Sequence, residues 1–84
     1  MSAARNRAYQ AAVANPFLFL QEHFGLVPQT PRKAVLKRFA KFGMTTGVHG
    51  KAVEGAVDDF RKEKKVAPFV LQAASAKMAD EYEV

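Results

Sequence analysis

Two short segments of this chain carry a matching pair of helix-start and helix-stop signals. Asn15-Pro16 begins the first segment and Thr30-Pro31 the second, so each has a capping residue followed by proline. Proline at the first helical position sacrifices no hydrogen bond, because that N–H has no partner within the helix. Gly25 and Gly43 follow as stops, since glycine adopts the left-handed conformation that ends many helices. These start and stop signals limit both segments to short helices.

Apolar spacing predicts further helices in the rest of the chain. The segment after Gly50 has apolar residues at the i, i+3, i+4, i+7 spacing, and Pro68 begins another apolar segment. No segment alternates with a period of two for long enough to indicate a strand. We therefore predict an all-α fold with a single core in one domain, residues 1–84. It is a small bundle of four to five short helices at about 3–14, 16–24, 31–42, 51–65 and 68–82.

The apolar content is high for so short a chain. Of 84 residues, 49% are hydrophobic and seven are phenylalanine. A domain of this length buries only roughly 60–65% of its unfolded surface, so some apolar side chains are expected to remain exposed. An exposed apolar patch marks docking on a partner or self-association. The run Phe17-Leu18-Phe19-Leu20 is the candidate docking surface.

Positive charge is concentrated in one window. Between Glu22 and Glu54 there is no acidic residue, although this window holds six basic ones. Most of them fall on the predicted 31–42 helix, on the side opposite its apolar stripe. Such a surface attracts anionic partners. The candidate anion-binding residues are Arg32, Lys33, Lys37, Arg38, Lys41 and Lys51.

Catalytic and metal-binding signatures are not evident in the sequence. The chain has no cysteine, and its two histidines, His23 and His49, have no ligand-like spacing to other residues. Asp58 and Asp59 are adjacent on a helix, so their side chains diverge by about 100° and do not face each other. We expect a protein that is not an enzyme, with no catalytic residue, no metal site and no cofactor.

Two functional hypotheses follow. The first is an accessory or structural subunit that docks on a larger assembly through its apolar residues and its basic helix. The second is sequence-nonspecific nucleic-acid binding by the 31–42 helix. A helix-turn-helix is disfavoured because residues 43–50 form a loop of about eight residues and the 51–65 helix carries four acids. A membrane surface is a third alternative, and homo-oligomers are compatible with the first hypothesis.

The location expected from the sequence is intracellular. No apolar run approaches the roughly 20 residues that span a bilayer, and nothing indicates secretion. Residues 1–21 contain Arg5 and Arg7 but no acid, a composition shared with organellar transit peptides. Residues 1–21 are therefore either an ordinary alanine-rich first helix or a signal for import into an organelle.

Overall fold

The computed structural model describes residues 3–82, with side chains described for residues 3–80. The prediction of a small all-α bundle is confirmed, since this part of the chain contains five helices and no strand. Three of the predicted helices have the expected bounds, whereas the third and fourth differ at their ends. The helices are α1 (Ala3–Ala14), α2 (Pro16–Phe24), α3 (Arg32–Thr46), α4 (Lys51–Arg61) and α5 (Pro68–Tyr82).

Helix α2 begins and ends where its proline start signal and glycine stop signal predict. Pro16 is its first residue, and Gly25 takes the left-handed conformation with φ of 66°. The N–H of Gly25 donates to the carbonyl of Gln21 at 3.1 Å, and that of Leu26 donates to Leu20 at 3.2 Å. This pair of bonds satisfies carbonyls at the helix end. It also reverses the chain so that Leu26 enters the core.

Helix α3 continues past Gly43, and the predicted stop at residue 42 is wrong. Gly43 is buried inside the helix, where its carbonyl accepts a hydrogen bond from the N–H of Val48 at 2.9 Å. A Cβ on Gly43 would overlap the carbonyl oxygen of Val48. Glycine is present here because another backbone segment packs against the helix, and the helix ends at Gly47 with φ of 78°. The connection to α4 is therefore residues 47–50, half the predicted length.

The start of α3 differs by one residue from the prediction. Pro31 is the residue before the helix, and its carbonyl accepts the N–H groups of Ala34 and Val35. The Thr30 hydroxyl accepts a hydrogen bond from the N–H of Val27 at 3.1 Å instead of capping the helix. Thr30 thus stabilises the turn between α2 and α3.

Helix α4 ends at Arg61, so the predicted end at residue 65 is wrong. Glu63 has a positive φ of 57°, and the N–H of Lys64 donates to the carbonyl of Asp59 at 2.9 Å. This closure resembles that of α2, although a glutamate occupies the left-handed position. The turn carries Val66 into the core, and that burial offsets the cost of the unfavourable φ. Helix propensity alone does not reveal this tertiary gain.

The packing order leaves one side of α3 exposed to solvent. Helix α5 lies between α1 and α3, and α3 packs against α4 on its other side. Rings from α3 and α4 meet at the centre, where the centroids of Phe39 and Phe60 are 5.5 Å apart. Because α3 is held on two sides, its remaining side faces solvent. The largest fully buried side chains are Phe39, Phe60, Leu20, Val35, Val57 and Val70.

Candidate anion-binding face

The solvent side of α3 carries four of the six predicted basic residues. Lys33, Lys37 and Lys41 are exposed and lie four residues apart, so they form one row along the helix. Arg38 lies beside this row and is half-buried. Helix α3 contains no acidic residue, so nothing on the helix itself neutralises the row.

A groove lies between this row and the end of α2. Its volume is about 300 Å³, and it is lined by Lys37, Arg38 and Lys41 together with Phe24, Leu26 and Ala34. The Arg38 guanidinium carbon lies 5.9 Å from the centroid of the Phe24 ring, a cation–π contact. The groove thus combines an apolar floor with three cations. We call it the α2–α3 groove.

A second depression continues from the same cations toward α5. It also has a volume of about 300 Å³, and it shares Arg38 and Lys41 with the first. Lys77 of α5 lines it, which adds a cation that sequence reasoning missed. Sequence spacing places Lys77 on one face of α5, but only the packing of α5 on α3 brings it to this site. We define the cationic face as Lys33, Lys37, Arg38, Lys41 and Lys77.

The acidic residue beside the cationic face is engaged in an ion pair. Asp80 lines the second depression, and its carboxylate lies 3.0 Å from the guanidinium of Arg5 in α1. Both side chains are about half exposed, so the pair adds little to stability. Its electrostatic effect is local, because the charge of Asp80 is balanced by Arg5. The five cations of the face therefore outnumber this carboxylate, which is paired with Arg5.

Two of the predicted anion-binding residues lie elsewhere. The Nε–H of Arg32 donates to Asp58 of α4 at 3.4 Å, which places Arg32 on the α4 side of α3. Lys51 begins α4 and lines a different depression, of about 470 Å³, which also contains Glu54. The six candidates therefore do not share one surface: four lie on the solvent side of α3, Arg32 pairs with Asp58 of α4, and Lys51 lies apart at the start of α4. The angular position of Arg32 around α3 places it on the side that faces α4. The turn at Gly50 places Lys51 away from the cationic row.

The predicted apolar docking surface is largely part of the core. Phe19 is 4% exposed and Leu20 is fully buried, so neither offers a surface to a partner. Phe17 is half-buried, and its ring stacks on Phe60 at a centroid distance of 5.6 Å. Only Leu18, at 43%, is exposed. The small size of the domain predicts that this run stays on the surface, yet the packing of α2 on α1 and α5 buries Phe19 and Leu20.

The exposed large apolar residues in residues 3–80 are few and occur on different helices. They are Val13, Leu18 and Met44, of which Met44 is 75% exposed. Met44 lines the depression between α3 and α4 with Leu36, Ala40 and Val48. Met44 thus places a large exposed apolar side chain beside a groove. Sequence reasoning missed it because it assigned Met44 to a loop.

The histidines show no arrangement typical of catalysis or metal binding. The His23 ring lies 4.7 Å from the ring of Phe19, and its side chain is exposed rather than packed in an apolar interior. His49 is exposed in the turn before α4. Over the described part of the chain, no three histidine, aspartate or glutamate side chains converge as ligands of a metal ion.

Comparison with known proteins gives no functional assignment. The chain matches no protein-family model, no curated protein and no solved structure. Within residues 3–82, none of the helices combines the length and the apolar content that a membrane span requires.

Proposed function

We propose that this protein is a non-enzymatic binding protein that contacts the phosphate backbone of nucleic acid through its cationic face. The observation that carries the proposal is the joint placement of Lys33, Lys37, Arg38 and Lys41 with Lys77 along the solvent side of α3. Regularly spaced cations match a polymer of regularly spaced phosphates better than they match an isolated anion.

The geometry supports contact that does not depend on base sequence. The four-residue connection between α3 and α4 removes the objection that the loop is too long for a helix-turn-helix. Helix α4, which would be the reading helix, still carries the exposed acids Glu54 and Asp58. Phosphate repels such a helix, so we assign binding to α3 and propose no base reading by α4.

A salt titration tests this function. Binding of a labelled duplex to the wild-type protein is measured by fluorescence anisotropy at increasing salt. Each phosphate contact contributes about −0.9 to the slope of log K against log salt concentration, so the five cations give a slope of about −4.5. Undetectable binding at low salt would contradict the proposal.

A pair of charge-matched variants locates the binding surface. The test variant carries Lys37→Glu, Arg38→Glu and Lys41→Glu, and it should lose measurable binding. The control carries Lys51→Glu, Lys62→Glu and Lys64→Glu, which lie outside the cationic face. Both variants have the same net charge, so general electrostatics affects them equally. Equal loss of binding in the two variants would refute the cationic face as the site.

Docking on a larger assembly is the second candidate function, and exposed Met44 favours it. Methionine side chains adapt to irregular surfaces and recur at protein-binding sites. Wild-type protein is therefore expected to bind an apolar fluorescent dye or to self-associate in sedimentation. The Met44→Gln variant should do so less. A monomeric wild-type protein without dye binding would count against this candidate.

A further inference from the structure

We infer that the α2–α3 groove holds one unpaired nucleobase, so that the cationic face prefers single strands to duplexes. This inference rests on the proposed function and specifies its ligand. It starts from the composition of the groove, which places the aromatic and apolar side chains of Phe24, Leu26 and Ala34 among three cations. Contact with phosphate groups alone does not require apolar side chains at the floor of the groove.

The Arg38–Phe24 pair gives the groove a stacking platform. The guanidinium carbon of Arg38 lies over the Phe24 ring at 5.9 Å, and Arg38 also lines the groove. Flat guanidinium groups stack on aromatic rings and on bases, and proteins that bind single strands use both arginine and aromatic side chains in this way. A base in the groove can therefore stack against the arginine that Phe24 supports.

The platform is fixed from behind by the core. The Phe24 ring meets the ring of Phe42 edge to face, with centroids 5.3 Å apart, and the ring of Phe19 at 6.3 Å. Phe42 and Phe19 are themselves buried. Because these contacts hold Phe24, the floor of the groove is formed before any ligand arrives. A preformed site loses less entropy when it binds a ligand.

The cations on the groove determine which form of nucleic acid fits. Lys37 and Lys41 are one helical turn apart and line the same groove, so they can contact the phosphates on either side of a bound base. In a duplex, the bases are stacked inside and cannot enter the groove. A duplex then contacts only the outer lysines, whereas a single strand gains base stacking in addition.

Three probes of matched phosphate content test the inference on the full chain. They are an oligothymidylate of about 12 nucleotides, within the range of site sizes of single-strand binders, an abasic oligomer of the same length, and a duplex. The oligothymidylate should bind at least about fivefold more tightly than the abasic oligomer, the lower end of what stacking one base contributes.

A charge-conserving variant assigns the effect to Arg38. Arg38→Lys keeps the positive charge but removes the planar group, so it should weaken oligothymidylate binding about fivefold more than it weakens abasic or duplex binding. Arg7→Lys, on exposed α1, is the matched control and should change none of the three. Circular dichroism verifies that both variants fold.

The outcomes separate this inference from the proposed function. If the abasic oligomer binds as tightly as oligothymidylate, or if Arg38→Lys weakens all three probes equally, the base site is refuted and backbone binding stands. If none of the three probes binds at low salt, the proposed function fails, and the base site fails with it.

Discussion

Two glycine-to-alanine substitutions in neighbouring helices should change stability in opposite directions. Gly55 lies in the interior of α4, and a Cβ there would meet no atom within 4 Å. Glycine is a poor helix former, so Gly55→Ala should stabilise the protein by about 0.5–1 kcal/mol. For a domain of this size, that raises the melting temperature by roughly 2–8 °C.

Gly43→Ala gains the same helix propensity but meets the loop after α3. Its methyl group would overlap the carbonyl of Val48 and crowd Val53, whose Cγ2 would lie 3.1 Å away. Overpacking of this kind costs typically ~1–3 kcal/mol. Displacing the loop also weakens the Val48–Gly43 hydrogen bond, which is worth about 1 kcal/mol. We therefore expect a net destabilisation of about 1–3 kcal/mol.

Thermal and urea unfolding, followed by circular dichroism, measure both changes on the same scale. The Gly55→Ala variant reports the propensity gain alone, so the difference between the two variants isolates the close approach at Gly43. If Gly43→Ala stabilises the protein as much as Gly55→Ala does, the packing of the 47–50 turn against α3 is refuted.

Two further substitutions test the end of α4 and the margin of the cationic face. Glu63→Gly should stabilise the protein by about 1 kcal/mol in urea unfolding, because glycine adopts the positive φ of 57° without strain. The substitution loses only an exposed hydrogen bond with Gln29. Unchanged or lower stability would contradict this expectation. Asp80→Asn should change stability by less than about 1 kcal/mol, since its pair with Arg5 is exposed. It should also tighten oligonucleotide binding at low salt, and weaker binding would contradict the placement of Asp80 beside the cationic face.

Local signals were sufficient to predict which segments are helical. In α2, Pro16 and Gly25 act within the segment itself, so their effect does not depend on the rest of the fold. Pro68 likewise begins α5 where the sequence predicts. These signals work because helix ends are decided by backbone groups that the neighbouring residues satisfy or leave free.

The ends of α3 and α4 depend on tertiary contacts, which the local sequence signals do not reveal. Gly25 and Gly43 look alike in the sequence, yet one provides a left-handed turn and the other makes room for the Val48 backbone. The basic residues after Arg61 favour a longer α4, but the burial of Val66 ends it early. Tertiary packing overrides propensity in both places.

The site was predictable to the extent that it lies on one helix. Helical periodicity places Lys37 and Lys41 on the same side of α3, and the structure brings them together around one groove. Helical periodicity within α3 cannot predict that Lys77 of α5 and the ring of Phe24 of α2 also line the site. A charge window along the sequence therefore finds the row of cations but not the groove.

The position of Phe24 links the stability of the fold to the selectivity that we propose for the groove. Its ring packs on the buried ring of Phe42 and also lies beneath Arg38, so the same side chain belongs to the core and to the floor of the site. Loosening the core at Phe42 should therefore reduce the proposed preference for single strands more than it reduces phosphate contact, because the Phe24 ring loses its buried partner while the backbone hydrogen bonds of α3 still hold the lysine row. In the proposed function, selectivity for single strands and affinity are therefore separable: the rings behind the groove set the first, and the charge along its rim sets the second.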